Sequence, residues 1–182
     1  MILTRLFFIA SLSLTAMAAP ASSKDVTAPM PEQLELVEAI EAFNEAMRDE
    51  EYSRVISALP QSVLAHSAEA AGVEVDEFVK RVGMIVAAVM KDAEGMTFSM
   101  DTDAIKYYET SDDRLYALIP TQTVIPMEDG SLEQNSHTLS FEEDGEWRFL
   151  RVSDAKQVLV LRDVYPDFEG VEFPSGSVAT RE

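Results

Sequence analysis

The sequence predicts an α+β fold in which amino-terminal helices pack on a strongly curved antiparallel sheet and one further helix follows the sheet. Three observations carry this. Residues 114–153 contain three extended runs, RLYALIPTQTVIPM, LEQNSHTLSFEE and EWRFLRVS, joined by EDGS and DG. Short connections containing Asp-Gly between such runs are a strong hairpin signal. Residues 32–93 instead carry apolar side chains at helical spacing. A shorter apolar run after Ser153, with Asp154 and Gln157 spaced as a cap, supplies the last helix.

The first 21 residues read as a signal peptide. Arg5 gives a positive start and residues 6–17 an apolar run. Ala16-Met17-Ala18 and Ala19-Pro20-Ala21 are small-residue cleavage sites. The mature chain is therefore expected to begin at Ala19 or Ser22, in the periplasm or outside the cell. The apolar run is shorter than the roughly 20 residues a helix needs to cross a bilayer, and no membrane span is expected in the mature chain. With no cysteine, the chain has neither a disulfide framework nor a lipidation site.

Residues 22–31 have the composition of a linker, residues 32–174 are expected to form one domain, and residues 175–182 a flexible tail. Leu36, Ile40, Phe43 and Met47 recur at helical spacing. Asp49-Glu50-Glu51 interrupts them, and Tyr52, Val55, Ile56 and Leu59 continue as a shorter helix. Pro60 suits the first position of the next helix, which is expected to turn Val63, Leu64, Ala68 and Ala71 inward and to stop at Gly72. Asp76 and Glu77 open a helix over residues 76–93, where their charge complements its dipole. Its apolarity is nearly continuous (VGMIVAAVM), which predicts the most buried helix of the fold, with Ile85 as its keystone.

Strands are expected to begin near Met96 and Ala104. Pro120 and Pro126 imply bulges or an edge position, since proline cannot donate to a sheet ladder. The run QVLVLRDVYP is compatible with a strand or a helix; Pro166 and Asp167 would end a helix naturally and favour the helix. Phe168, Val171 and Phe173 are expected to dock on the domain.

The 33 acidic and 14 basic residues leave a formal charge of −19. This argues against nucleic acid as a partner, because phosphate neutralisation needs clustered Lys and Arg. The carboxylates are scattered, as on a solvated surface.

The segments AFNEAMRDEEYSRVISAL and RLYALIPTQTVIPM…LSFEEDGEWRFLRVSD resemble the helix–kink–helix start and the last strands of the nuclear transport factor 2-like (cystatin-like) superfamily. The chain also resembles exported bacterial members of unknown function with an inserted helix pair, here LPQSVLAHSAEAAGVEVDEFVKRV, and a closing YPDF segment. The resemblance implies a cone-like α+β domain. Members include isomerases, dehydratases and cyclases that work in the cone's pocket, and non-catalytic binding or assembly domains. No enzyme motif matches residue by residue, so the resemblance assigns no catalytic residue.

Strand alternation puts Glu133, Asn135, His137, Leu139 and Phe141 on one face. With Leu139 and Phe141 in the core, His137, Asn135 and Glu133 are expected to line its more open end. With Tyr116 as a hydrogen-bond donor, these are the candidate ligand-binding residues. A His beside a carboxylate suits acid–base work near neutral pH, although a satisfied sheet histidine is the simpler alternative. Phe43, Met47, Phe78 and Val82 are expected to close the cone over His137. Nine Phe and nine Met favour a filled cone, plugged by Phe43, Phe78 and Phe141, over a hollow one.

His66 is expected at the surface without a partner, and Arg148 and Arg151 are expected to pair with the acidic excess. No phosphate loop, G-x-S-x-G, H-E-x-x-H or calcium-loop order is present, so neither a cofactor nor a metal is expected. The expected function is an exported non-catalytic domain that binds a small apolar ligand or a protein partner. The alternatives are a pocket enzyme of the isomerase, dehydratase or cyclase type, and an envelope assembly protein dimerising through the outer sheet face.

Overall fold

A computed structural model describes residues 23–93, 95–153 and 155–181; the expected signal peptide, its cleavage sites and the Asp154 cap lie outside them. In chain order the elements are β1 (Lys24–Val26), α1 (Met30–Arg48), α2 (Tyr52–Ser57), α3 (Gln61–Ala71), α4 (Val75–Asp92), β2 (Thr97–Met100), β3 (Lys106–Glu109), β4 (Leu115–Met127), β5 (Gly130–Glu143), β6 (Glu146–Arg151), α5 (Ala155–Val164) and β7 (Ser177–Arg181). The fold is α+β, with helices at the start, an antiparallel sheet that does not close into a barrel, and a helix near the end.

The long hairpin of β4 and β5 is the spine of this seven-stranded sheet. β3 and then β2 take successive halves of β4's outer edge, and β6 and β7 divide that of β5 in the same way. Asp144 (φ 55°) and Gly145 (φ 78°) make the β5–β6 turn, both in the left-handed region that a type I′ hairpin requires. The other connection is Glu128-Asp129, because Gly130 already pairs with Met127.

Two expected non-regular segments are strands. β1, in the expected linker, pairs with β3, and β7, in the expected loose tail, pairs with β5. Each satisfies backbone groups on an edge that would otherwise stand open. Of the expected bulge or edge position, the bulge is absent at Pro120, since the β4–β5 register runs unbroken through it, and a local open edge is present. The Pro120 carbonyl accepts from Asp101 N, so its missing N–H faces the interval between the end of β2 and the start of β3, where no ladder partner stands.

The run LYALI in β4 is apolar on both strand faces, the pattern of a strand buried from both sides. Leu36 and Ile40 of α1 cover Ala117, Ile119, Trp147 and Phe149 on one face. Val63 of α3, Leu161 of α5 and Phe168 cover Tyr116, Leu118, Leu139 and Phe141 on the other. The first helix thus packs on the face opposite Leu139 and Phe141, not over them as expected. Phe43 packs at a tilt against Phe98 and Phe149, whereas Phe141 packs with Tyr165 and Phe168, so the expected Phe43–Phe78–Phe141 plug does not form.

α4 also departs from expectation. It packs on α2 and α3, with Gly83 set so close to α2 that a Cβ there would stand 3.2 Å from the Ser53 backbone. Its other side is open: Ile85 is 63% exposed, and Met84 and Val89 are exposed with it. Ile85 is no keystone. Continuous apolarity signalled burial, but a helix at the periphery of the fold covers only one stripe. Among the described residues no helix is long and apolar enough to cross a membrane.

Pro60 leaves α3 without a capping side chain of its own. Glu143, at the end of β5, supplies the cap: its carboxylate accepts from Gln61 N, Ser62 N and Ser62 Oγ, and from the Tyr165 phenol. Burial pushes the Glu143 pKa up, but hydrogen bonds from Tyr165, Gln61 and Ser62 outweigh it and hold the carboxyl below its usual range. Tyr165 responds oppositely, pushed to about 12 by burial and by the bond to Glu143.

Candidate functional site

On the face that α1 covers, the middle of the hairpin carries short hydroxyl side chains where the rest of the core has large ones. Thr121, Thr123, Ser136, Thr138 and Ser140 are all buried. Thr121 and Thr138 satisfy one another across the strands, Oγ1 to Oγ1 at 2.9 Å. Small side chains on the sheet leave room beneath the helices. A cavity of about 220 Å³ remains there, walled by Phe43, Val55, Ile56, Leu59, Phe98 and Phe149.

One side of this cavity is polar. Arg151 ends β6 in phase with Trp147 and Phe149, and so reaches the same side of the strand. Gln157 comes from the first turn of α5. Both border the apolar cavity, and both also border a recess of about 450 Å³ with Gln134, Ser153 and Ala155. Arg151 Nη2 and Gln157 Oε1 are buried and have no hydrogen-bond partner among the described residues. Apolar walls with a few polar groups at one side are the usual build of a small-molecule site.

The residues singled out from sequence lie elsewhere. His137 and Asn135 share a different recess, of about 500 Å³, with Gln122, Ser99 and Asp101. Gln122 donates to Asn135 Oδ1 at 3.2 Å. His137 Nδ1 is buried without a partner, and burial, then the Lys106 charge, holds its pKa below the usual histidine value. The imidazole is thus neutral near pH 7. Among the described residues no carboxylate orients it: Glu133 pairs with Arg181 at 2.9 Å, and Asp101 accepts from Asp103 N. Tyr116 joins none of them; it is fully buried and stacks on Tyr108 at 5.4 Å between centroids.

His66 has a partner after all, Asp163 of α5 at 3.7 Å. Arg148 pairs with Glu146 at 2.6 Å as expected, but Arg151 pairs with no carboxylate among the described residues. A groove of about 580 Å³ between α1, α2 and the β5–β6 turn mixes Glu35, Glu38 and Glu146 with Arg54 and Arg148. Its two cations are already answered: Arg148 meets Glu146, and Arg54 meets Glu45 and Glu51. Among the described residues no group of three or more His, Cys, Asp or Glu stands ready to hold a metal ion.

Sequence reasoning followed histidine and missed Thr121, Thr138, Arg151 and Gln157. The signal was nevertheless present. Alternate hydroxyls in TQT and SHTLS mark a thin patch of sheet, and Arg151 continues the Trp147–Phe149 phase into the core.

No protein-family model matches the chain, and no curated protein or solved structure matches it either.

Proposed function

We propose that this is an exported domain of the nuclear transport factor 2-like kind that binds a small apolar ligand in the cavity between α1, α2 and the sheet, without transforming it. The cavity carries the proposal: it is walled by aliphatic and aromatic side chains, and on its sheet side Thr121 and Thr138 are too short to fill it. Helices first, a long hairpin at the centre and a closing helix support the kinship. The Arg5 start, the apolar run and the small-residue sites support export.

The enzyme alternative draws less support. It needs the histidine and the apolar pocket together, and these open on opposite faces of the sheet. A protein-partner role is favoured by one observation, the exposed Met84, Ile85 and Val89 of α4, since contiguous apolar patches mark interaction sites. Sedimentation of the mature protein tests its simplest form. Self-association abolished by Ile85→Glu would support that role, and a monomer at all concentrations would remove the homodimer.

Calorimetric titration of the mature protein with n-octanol tests the ligand proposal. Saturable binding is expected, and Val55→Phe, which adds a ring to the cavity wall, should weaken it by roughly tenfold or more while the protein stays folded. Absence of saturable binding would overturn the proposal.

A further inference from the structure

We infer that the ligand of this cavity is an amphiphilic carboxylate, its short apolar tail in the cavity and its anionic head held by Arg151 beside Gln157. This rests on the cavity being a ligand site and names the chemistry of what enters.

Four half-buried arginines are described. Arg114 meets Asp167, Arg148 meets Glu146, and Arg162 donates to the Phe168 and Val171 carbonyls. Arg151 alone has neither a carboxylate nor a carbonyl acceptor among the described residues; its Nε donates to the Ser153 hydroxyl at 2.9 Å. In a chain with 33 acidic and 14 basic residues, an arginine without a carboxylate is against expectation. Among the described residues its Nη2 is buried and unpartnered, as is Gln157 Oε1, and both residues stand where the apolar cavity meets the polar recess.

A buried cationic donor without an acceptor is unfavourable, and a carboxylate answers the planar guanidinium with two parallel hydrogen bonds. The tail follows from the volume. A cavity of 150 Å³ takes up benzene, so 220 Å³ suits a chain of about six to nine carbons. Thr121 and Thr138 satisfy each other and ask nothing of the ligand, so the polar demand falls on Arg151 and Gln157. The charge of −19 repels anions from most of the surface, so a carboxylate gains only where a local cation faces it.

The experiment compares octanoate, n-octanol and octylamine on the full mature protein at neutral pH by calorimetry. Octanoate should bind tightest and octylamine weakest. Arg151→Gln should weaken octanoate by roughly tenfold to a hundredfold while octanol binding stays unchanged. Octanol binding as tightly as octanoate to the unaltered protein would overturn the inference and leave the cavity proposal standing. Equal loss of octanoate and octanol in Arg151→Gln would assign Arg151 a structural role and overturn it too. If none of the three binds, the cavity proposal itself fails.

Discussion

Thr138 borders the apolar cavity, while His137, its neighbour in β5, lies in the recess on the opposite face of the sheet. The two-residue period of a strand makes this separation unavoidable. His137→Ala should therefore leave octanol and octanoate affinities within about twofold of the unaltered protein, because His137 does not border the apolar cavity. Calorimetry with that variant checks it. A large loss would mean that the ligand enters the histidine recess.

His137 should instead appear in the pH dependence of stability. Burial and Lys106 depress its native pKa below the ordinary 6.5. Its contribution is fully present above that value and is lost as pH falls through the native pKa, because the unfolded chain takes up the proton first. His137→Gln should flatten the fall in urea midpoint between about pH 7.5 and 5.5. An unchanged slope would mean that the imidazole is not held neutral.

Glu143 acts in a lower window. Its depressed native pKa means that its stabilisation is complete above the usual 4.5 and disappears as pH falls through the native value. Because it caps α3 in place of Pro60, Glu143→Gln should cost about 1–3 kcal/mol at neutral pH. The difference should shrink as the solution is acidified. Denaturant unfolding at several pH values measures both.

Ile40 and Ile85 make a matched pair. Ile40 of α1 is fully buried against the sheet, and Ile85 of α4 is 63% exposed. Ile40→Ala should cost about 2–5 kcal/mol. Ile85→Ala should stay within about 0.5 kcal/mol of neutral. Equal costs in urea unfolding would mean that the exposed side of α4 is covered in solution.

The legible parts of this fold were those set by local chemistry. Asp144-Gly145 specifies a turn that few other residue pairs allow, Gly72 ends α3 in a left-handed conformation, and the order of elements follows from changes of period along the chain. Partnership between distant segments was not legible. Nothing near Lys24 or Ser177 announces a strand, because each becomes one only through the open edge of β3 or β5. The apolar stripe of α4 resembles that of a core helix, and only the tertiary arrangement leaves it at the periphery. The hydroxyls of the cavity floor were visible as residues, but sequence alternation does not say which face α1 will cover.

The most direct test of the ligand site is a nuclear magnetic resonance titration of methyl-labelled mature protein with octanoate. Saturable shifts at Val55, Ile56, Leu59 and Thr138, with the His137 ring unmoved, are the predicted result. Shifts centred on His137 and Asn135, or none that saturate, would contradict it.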